Sequence, residues 1–435
     1  MSDRRRQVDI KLFRVCSLGR LWWFVTAHQR HTAKHLPWPI VRTSVPDSAG
    51  ARRRAIRVVM TSMALLCACS VTPTFPDRSA GPFHPKLEGG TEAGPRPQLP
   101  GPLRTESPGA PGQGGPPGPP QGCADPDPAV VATCLEPISA VVVLPGSGPV
   151  GLAAERTTGR ILQVQRQRPN HEVAALAVDP AGDGGLTGLA LSPSYTEDEL
   201  IYAYVTTPVD NRVIRIAPGD MPKPVLVGIP RGPTGNAGAL AVDSHGMLLI
   251  ATGDAGNPAS AADPQSLAGK VLRIDTFGHP APGNPSGSMV LVSGLHSPGG
   301  LCIDPASNEL WITDRTPDHD LLHRVQPGQP LGRAAWTWPG SSGAAGCVVM
   351  LGRIQVAFSS GAPMFMLGIG PDGTFVGPPL QIPLERYGRV SAAALSPDGR
   401  ALWLGTVNKM GAKPISSDDR VFILPDLVGP GAGHD

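Results

Sequence analysis

A short unit recurs along the chain from residue 138 onward, and it constrains the fold more than any other feature of the sequence. Each copy opens with small and apolar residues, turns at a Ser or Asp, and continues into a second apolar stretch. The clear copies are GLALSP with LIYAYV (188–205), ALAVDS with MLLIAT (239–252), GLCIDP with ELWIT (300–313) and ALSPDG with ALWLG (394–405), and weaker copies begin at Val141 and Cys347. Strand–turn–strand units with a period of about 50 residues are typical of a β-propeller.

The spacing of the unit also predicts the number of blades. About 290 residues divided by that period gives six. Helical periodicity is almost absent, and turn signals such as Asp-Gly, Pro-Gly and Gly-Asn separate the apolar stretches. A pair of β-sandwiches is the alternative, but it would not explain one recurring unit. We therefore predict an all-β fold with a six-bladed β-propeller over 123–425.

A bacterial lipoprotein signal is expected ahead of the repeat. Residues 51–57 are basic, and 58–66 are apolar but too few to cross a bilayer as a helix. The LCAC sequence at 66–69 matches a lipobox, with a small residue before the cysteine that receives the lipid. The pattern predicts a signal peptide over 45–68 and a lipidated Cys69 on the extracytoplasmic face of the cell membrane. Cleavage elsewhere, or a buried apolar strand with two cysteines, are the alternatives.

The segments around the signal and after the propeller have no globular pattern. Residues 1–44 are interpreted as an over-long extension, with the true start near Val41 or Val45, or else as a genuine cytoplasmic extension. Gly and Pro, 54 and 51 of the 435 residues, are concentrated in 69–122. Such a segment buries too little apolar surface to offset its ordering entropy, so it predicts a disordered tether. Residues 426–435 are expected to form a flexible tail.

The cysteines that remain after export are even in number. Setting aside the lipidated Cys69 leaves four in an oxidising compartment, which favours disulfides. Four cysteines allow three pairings, and we predict the one in which Cys123–Cys134 closes the entry of the domain and Cys302–Cys347 joins neighbouring segments within it. A metal site is less favoured, since neither CxxC spacing nor paired histidines accompany them.

Five motifs in the propeller region carry a resemblance to a known family. They are GDGGLTGLALSP (182–193), TGDAG (252–256), DPQSLAGKVLR (263–273), SGLHSPGG (293–300) and WTWP (336–339). Together they resemble the soluble glucose/sorbosone dehydrogenases. The resemblance implies a six-bladed propeller that binds pyrroloquinoline quinone (PQQ) and calcium and oxidises sugars. The order of lipobox, tether, short cysteine pair and propeller is also similar to mycobacterial envelope lipoproteins.

The catalytic position implied by the resemblance is altered in this chain. The family has His-Asn-Gly-Gly, whose histidine takes the sugar hydroxyl proton as hydride leaves. The matching residues here begin with Gly235 and Asn236, so that no proton acceptor remains at this place. The family's Arg-Asn pair at the quinone is replaced by His296 and Ser297, which makes His296 the candidate substitute base. The catalytic set is therefore predicted not to be intact.

The remaining positions implied by the resemblance are partly retained. Asp183 stands where the family has a Gln or Glu near the cofactor. Of two arginines that meet the quinone carboxylates, Arg389 is retained and the second is Ser391. Asp183, His296, Ser297 and Arg389 are thus the candidate cofactor- or ligand-binding residues.

A polar cluster over 314–320 follows a predicted strand and contains the candidate metal ligands. The family's Gly-Pro, whose carbonyls hold calcium, appears as Thr316 and Pro317, and the carboxylates of Asp318 and Asp320 follow. Carboxylate and carbonyl oxygens suit calcium. The alternative is an exposed charged loop.

Two functions remain open at the level of the sequence. One is a surface lipoprotein whose propeller binds a carbohydrate or another envelope ligand without turnover. The other is a PQQ- and calcium-dependent sugar dehydrogenase with a rearranged site. The net charge of +2 argues against a nucleic-acid partner, which needs a basic face. The expected partner is therefore the membrane, through the lipid anchor, together with the ligand.

Overall fold

A computed structural model describes residues 15–17, 20–22, 122–146, 148–411 and 413–425. The chain divides into two units, 1–106 and 107–435. The described part of the first unit is one antiparallel pair, β1 (Val15–Ser17) with β2 (Arg20–Trp22). The signal over 45–68, the lipidated Cys69 and the tail over 426–435 lie outside the described residues, as does almost all of the tether. Within the described ranges, no helix is both long enough and apolar enough to cross a membrane.

The second unit contains six four-stranded antiparallel sheets, which confirms the prediction of six blades. Blade 6 contains β3 (Val130–Ala132) as its last strand, and blade 1 follows β3 in the chain. The strands of blades 1 to 3 are β4 (Ile138–Val143), β5 (Val150–Glu155), β6 (Arg160–Gln165), β7 (His171–Ala175); β8 (Leu186–Leu191), β9 (Ile201–Thr206), β10 (Asn211–Ile216), β11 (Lys223–Ile229); and β12 (Gly238–Val242), β13 (Leu248–Thr252), β14 (Lys270–Ile274), β15 (Val290–Ser293). The strands of blades 4 to 6 are β16 (Pro298–Ile303), β17 (Leu310–Arg315), β18 (His319–Arg324), β19 (Trp336–Pro339); β20 (Ala344–Met350), β21 (Arg353–Phe358), β22 (Met364–Ile369), β23 (Phe375–Ile382); and β24 (Val390–Leu395), β25 (Ala401–Thr406), β26 (Val421–Pro425).

Helix is scarce in the described residues, as the absence of helical periodicity predicts. The α-helices are α1 (Tyr195–Asp198) and α2 (Pro258–Ala262), and Pro285–Gly287 and Asn408–Met410 form short 3₁₀ turns. All four lie between strands and leave the six sheets uninterrupted.

The first strand of each blade lies at the centre of the ring, where small residues are required. These inner strands, β4, β8, β12, β16, β20 and β24, pack in sequence, and β24 packs on β4. A Cβ on Gly346 of β20 would lie 2.6 Å from the backbone nitrogen of Ala393 on β24. The small residues that open each sequence unit therefore allow neighbouring inner strands to approach.

The second strand of the unit supplies large side chains to the cores between blades. Tyr202, Trp311 and Trp403 occupy the same place in their units and are at most 1% exposed. Burial of aromatic side chains of this size contributes several kcal/mol each, on the order of 25 cal/mol per Å² of apolar surface. The alternation of small and large apolar residues in the unit thus matches the inner and outer parts of a blade.

The ring is closed by strand pairing and reinforced by two disulfides. Val130 of β3 pairs with Phe422 of β26, so that a strand from the start of the domain completes the last blade. Cys123 and Cys134 form a disulfide on either side of β3. A second disulfide joins β16 to β20 through Cys302 and Cys347. Both predicted pairings are confirmed.

Candidate functional site

The candidate site is a pocket at the face of the propeller where the inner strands begin. All six inner strands contribute one of their first two residues to its wall, namely Ser139, Thr187, Gly238, Pro298, Ala345 and Ser391. Its volume is about 170 Å³. We call it the central pocket, and every blade except blade 3 contributes a polar side chain to its wall.

Three guanidinium groups line the central pocket from three different blades. Arg156 follows the second strand of blade 1, Arg315 ends the second strand of blade 4, and Arg389 precedes the inner strand of blade 6. The Nη1 of Arg156 donates to the carbonyl of Gly184 over 2.6 Å. The Nη2 of Arg315 donates to the Oγ of Ser297 over 2.9 Å. Burial lowers the pKa of Arg156, while Asp183 acts to raise it and Arg315 acts to lower it.

Asp183 supplies a carboxylate to the pocket wall and also joins neighbouring blades. Its Oδ1 accepts from the backbone nitrogen of Asn236 over 2.9 Å, ahead of blade 3. Its Oδ2 accepts from the Oγ of Ser297 over 3.0 Å, ahead of blade 4. Both oxygens thus accept hydrogen bonds from protein donors. The Oγ of Ser297 in turn accepts a hydrogen bond from Arg315.

The position that matches the family's base has no space for a side chain. Gly235 has φ of +67°, a conformation that residues other than glycine rarely adopt. A Cβ there would lie 2.5 Å from Oδ1 of Asp254 and 2.6 Å from the backbone nitrogen of Gly256. The neighbouring Asn236 is fully buried, and its side chain bonds to both backbone groups of Gly232. These residues form a packed turn behind the pocket.

His296, the candidate substitute base, lies beside Asp314. Its Nδ1 is 3.6 Å from Oδ2 of Asp314, which is the separation of an ion pair. The same carboxylate accepts from the backbone nitrogens of His296 and Ser297 over 3.0 Å and 2.7 Å. Asp314 raises the pKa of His296, burial acts to lower it, and Asp254 acts to raise it. Burial raises the pKa of Asp254.

The predicted site residues therefore fall into two groups. Asp183, Arg389 and Ser391 line the central pocket, whereas His296 and Ser297 are not among its lining residues, and Ser297 bonds to the lining side chains of Asp183 and Arg315. The sequence grouped these residues by resemblance, and the structure brings them to one face of the ring.

The candidate metal ligands lie at the turn between β17 and β18 and at the start of β18, and those oxygens that form hydrogen bonds have different partners. Thr316 Oγ1 donates to the carbonyl of His319, and the carbonyl of Pro317 accepts from Ser341 Oγ over 3.0 Å. Asp318 is exposed, while Asp320 is fully buried and accepts from the backbone of blade 5. Burial raises the pKa of Asp320. In the described part of the chain, no group of three or more His, Cys, Asp or Glu is placed to hold a metal ion.

Sequence reasoning did not identify Arg156 or Arg315 as pocket residues. The repeat itself indicates which positions line the pocket. The residue after the buried end of a second strand lines the pocket in four blades, as Arg156, Arg315, Ser359 and Val407. Aligning the units by their second strands would have placed both arginines at the pocket.

Comparison with known proteins gives a family and several relatives of known structure. The family model for glucose/sorbosone dehydrogenase matches residues 136–343. Aldose sugar dehydrogenase YliI of Escherichia coli K12 is 29% identical over 177 residues, which are 36% of this chain and 48% of that protein. The match thus spans about half the length of this curated relative.

The matches to two solved structures extend over nearly the full length of each solved chain. The PQQ-bound aldose sugar dehydrogenase of Streptomyces coelicolor is 29% identical with a TM-score of 0.64, covering 68% of this chain and 96% of that one. A putative oxidoreductase (glucose dehydrogenase) of Thermus thermophilus is 30% identical with a TM-score of 0.62, covering 68% of this chain and 98% of that one. The similarity therefore extends over the whole propeller.

Proposed function

We propose that this chain, which belongs to the glucose/sorbosone dehydrogenase family, is a lipid-anchored extracytoplasmic protein whose propeller binds a ligand without oxidising it. The observation that carries the proposal is the packed turn at Gly235. The chemistry of sugar oxidation requires a group that accepts the hydroxyl proton as hydride leaves. Neither a side chain nor space for one exists at that place.

His296 supports the proposal as well. A general base has to reach the proton that it abstracts. The imidazole is not among the groups that line the central pocket, and its Nδ1 lies 3.6 Å from Oδ2 of Asp314. Because its pKa is raised, a larger fraction of His296 is protonated at neutral pH and unable to accept a proton.

The residues present do not fit the calcium that the family resemblance implies. The carbonyl of Pro317 already accepts a hydrogen bond from Ser341, and the guanidinium of Arg315 brings a fixed positive charge to the pocket. Calcium takes six to eight oxygen ligands in most proteins. Arg315 would oppose a divalent cation placed near it.

The size of the central pocket also argues against binding of the quinone. Pockets that enclose flat cofactors and drug-sized ligands usually measure about 300–1,000 Å³. At about 170 Å³ the central pocket suits a smaller molecule. No catalytic step is therefore assigned to a bound cofactor.

The cellular setting is proposed from the sequence and the disulfides. The lipobox at 66–69 and the Pro/Gly-rich segment after it favour a membrane anchor followed by a tether. Two disulfides are typical of an oxidising compartment outside the cytoplasm. The ligand is accordingly a carbohydrate or another component of the envelope.

The test is a dye-linked oxidation assay on the full-length protein. The protein is supplied with PQQ and Ca²⁺ and offered glucose and other aldoses, with a no-quinone sample as the blank and an active aldose sugar dehydrogenase as the positive control. We expect no oxidation above the blank. Activity that disappears again in His296→Ala would instead establish a PQQ- and calcium-dependent dehydrogenase with a rearranged site.

A further inference from the structure

We infer that the central pocket binds a compact anion with carboxylates at more than one end, held by Arg156, Arg315 and Arg389 without a metal ion. The inference rests on the proposed function, because it names the chemical class of the ligand in the same pocket.

The arrangement of the three arginines around the ring is the first reason. Arg156 belongs to blade 1 and Arg315 to blade 4, and these blades lie opposite each other in the order in which the inner strands pack. Arg389 comes from blade 6, next to blade 1. A guanidinium forms paired hydrogen bonds with a carboxylate. Guanidinium groups that three separate blades contribute to one pocket thus suit an anion with more than one carboxylate.

The charge of the pocket wall is the second reason. Its charged residues are the three arginines and Asp183, which gives 3 − 1 = +2. Asp183 already accepts from Asn236 and Ser297, and these contacts hold its carboxylate in the wall. The wall therefore offers unmatched positive charge to a ligand.

Two further carboxylates lie near Arg315, and neither neutralises the pocket wall. Asp320 is fully buried, and burial favours its neutral form by raising its pKa. Asp314 is also buried, and its charge partner is His296, whose Nδ1 lies 3.6 Å from Oδ2 of Asp314.

Unmet hydrogen-bond donors are the third reason. The Nε atoms of Arg156 and Arg389 are buried and have no partner among the described residues. The remaining guanidinium nitrogens of Arg389 also make no hydrogen bond or ion pair within that part of the chain, whereas those of Arg156 and Arg315 reach protein oxygens. A buried charged donor without an acceptor is costly, and an anion in the pocket would supply the acceptors.

The experiment measures binding of citrate to the full-length protein by titration calorimetry and by the shift in melting temperature. Acetate, inorganic phosphate and glucose are compared at the same ionic strength, and each titration is repeated after protein and buffer have been freed of divalent metal ions on a chelating resin. We expect citrate to bind at least tenfold more tightly than acetate or phosphate, glucose to give no shift, and metal removal to change nothing.

Variants identify the site. Arg389→Gln and Arg315→Gln should each weaken citrate binding by about tenfold or more, as expected when a hydrogen-bonded charge is lost. Arg353→Gln, at an exposed position on β21, is the matched control and should bind like wild type. Arg389 is the preferred change because its side chain makes no hydrogen bond to the described residues, so that the fold should tolerate its loss.

Three results would overturn the inference: citrate binding no tighter than acetate, citrate binding unchanged in Arg389→Gln and Arg315→Gln, or citrate binding abolished by removal of divalent metal ions on the chelating resin. These outcomes would leave the proposed function standing. Oxidation of glucose in the quinone assay would instead reject the proposed function, whatever the citrate result.

Discussion

Ser297 donates a hydrogen bond from its Oγ to Oδ2 of Asp183 over 3.0 Å, and the contact joins the entrance of blade 4 to that of blade 2. The same carboxylate accepts the backbone nitrogen of Asn236 at the entrance of blade 3. One side chain thus connects three successive blades at the pocket face.

Removing that carboxylate should destabilise the propeller. In Asp183→Ala, the donors of Asn236 and Ser297 lose their acceptor, which typically costs about 1–3 kcal/mol in the free energy of unfolding. Equilibrium urea unfolding measures the change. Asp318→Ala, at an exposed carboxylate, is the control and should stay within about 0.5 kcal/mol of wild type. Equal losses in both variants would mean that the connection between blades contributes nothing.

Gly235 should tolerate no side chain. Gly235→Ala combines a positive φ with a Cβ 2.5 Å from Asp254, whereas Gly399→Ala has the same φ region, at +69°, with nothing within 4 Å. The backbone effect alone is about 1 kcal/mol. We expect Gly235→Ala to lose clearly more stability than Gly399→Ala in urea unfolding. By the same argument, Gly235→His should not gain sugar oxidation in the presence of PQQ and Ca²⁺, and a gain would contradict the packed turn.

The two disulfides should differ in their contribution to stability. Cys302–Cys347 spans 45 residues and Cys123–Cys134 spans 11. In the chain-entropy model the longer loop stabilises more, by about 1 kcal/mol, within a usual range of about 2–5 kcal/mol for a lost bridge. Double Cys→Ala variants of each pair, compared by urea unfolding, test the order. Free thiols at Cys302 and Cys347 in peptide maps of envelope material would contradict the pairing itself.

His296 and His323 should make the free energy of unfolding depend on pH in opposite directions. The pKa of His296 is raised above its usual 6.5 by Asp314, so its stabilisation is present below about pH 6.5 and lost as the pH rises through the folded pKa. The pKa of His323 is lowered by burial, so its contribution is present above pH 6.5 and lost as the pH falls.

Urea unfolding of His296→Gln and His323→Gln across pH 5–8.5 provides the measurement. The free energy of unfolding that His296→Gln loses relative to wild type should become smaller as the pH rises. The free energy that His323→Gln loses should become larger. Parallel curves for the two variants would show that the pairing of His296 with Asp314 has no effect on titration.

The lipid anchor predicted from the sequence rests on one thiol. Cys69→Ala should move the protein from the membrane fraction to soluble or uncleaved forms and should abolish labelling with a radioactive fatty acid. Cys67→Ala changes a thiol two residues away and serves as the control, with labelling retained. Persistent labelling of Cys69→Ala would place the lipid elsewhere.

The blades could be predicted because each unit encodes its own local structure. The aromatic residues at the equivalent places of Tyr202, Trp311 and Trp403 mark the second strands, and the turn residues separate them from the inner strands. The strand β3 could not be predicted in the same way. Its three residues have no pattern of their own, and they become a strand only by pairing with Val421 and Phe422 far along the chain.

The site could be predicted only in part, because its geometry depends on contacts between blades. Asp183 and Arg389 were found by resemblance, but the sequence could not show that Asp183 is committed to protein donors. It did show that Gly235 lacks a base, yet the positive φ and the proximity of Asp254 are properties of the folded turn. Arg156 was missed because a charged residue after a strand is common at any surface.

The position of β3 between Cys123 and Cys134 has a mechanical consequence. A pull on the chain ahead of Cys123 passes through the sulfur bridge to Cys134 and on into blade 1, and it bypasses Val130–Ala132. Without the bridge, the same force would run along β3 and strip it from β26. A pull on the chain ahead of Cys123 would therefore load a covalent link, and the last blade would stay complete.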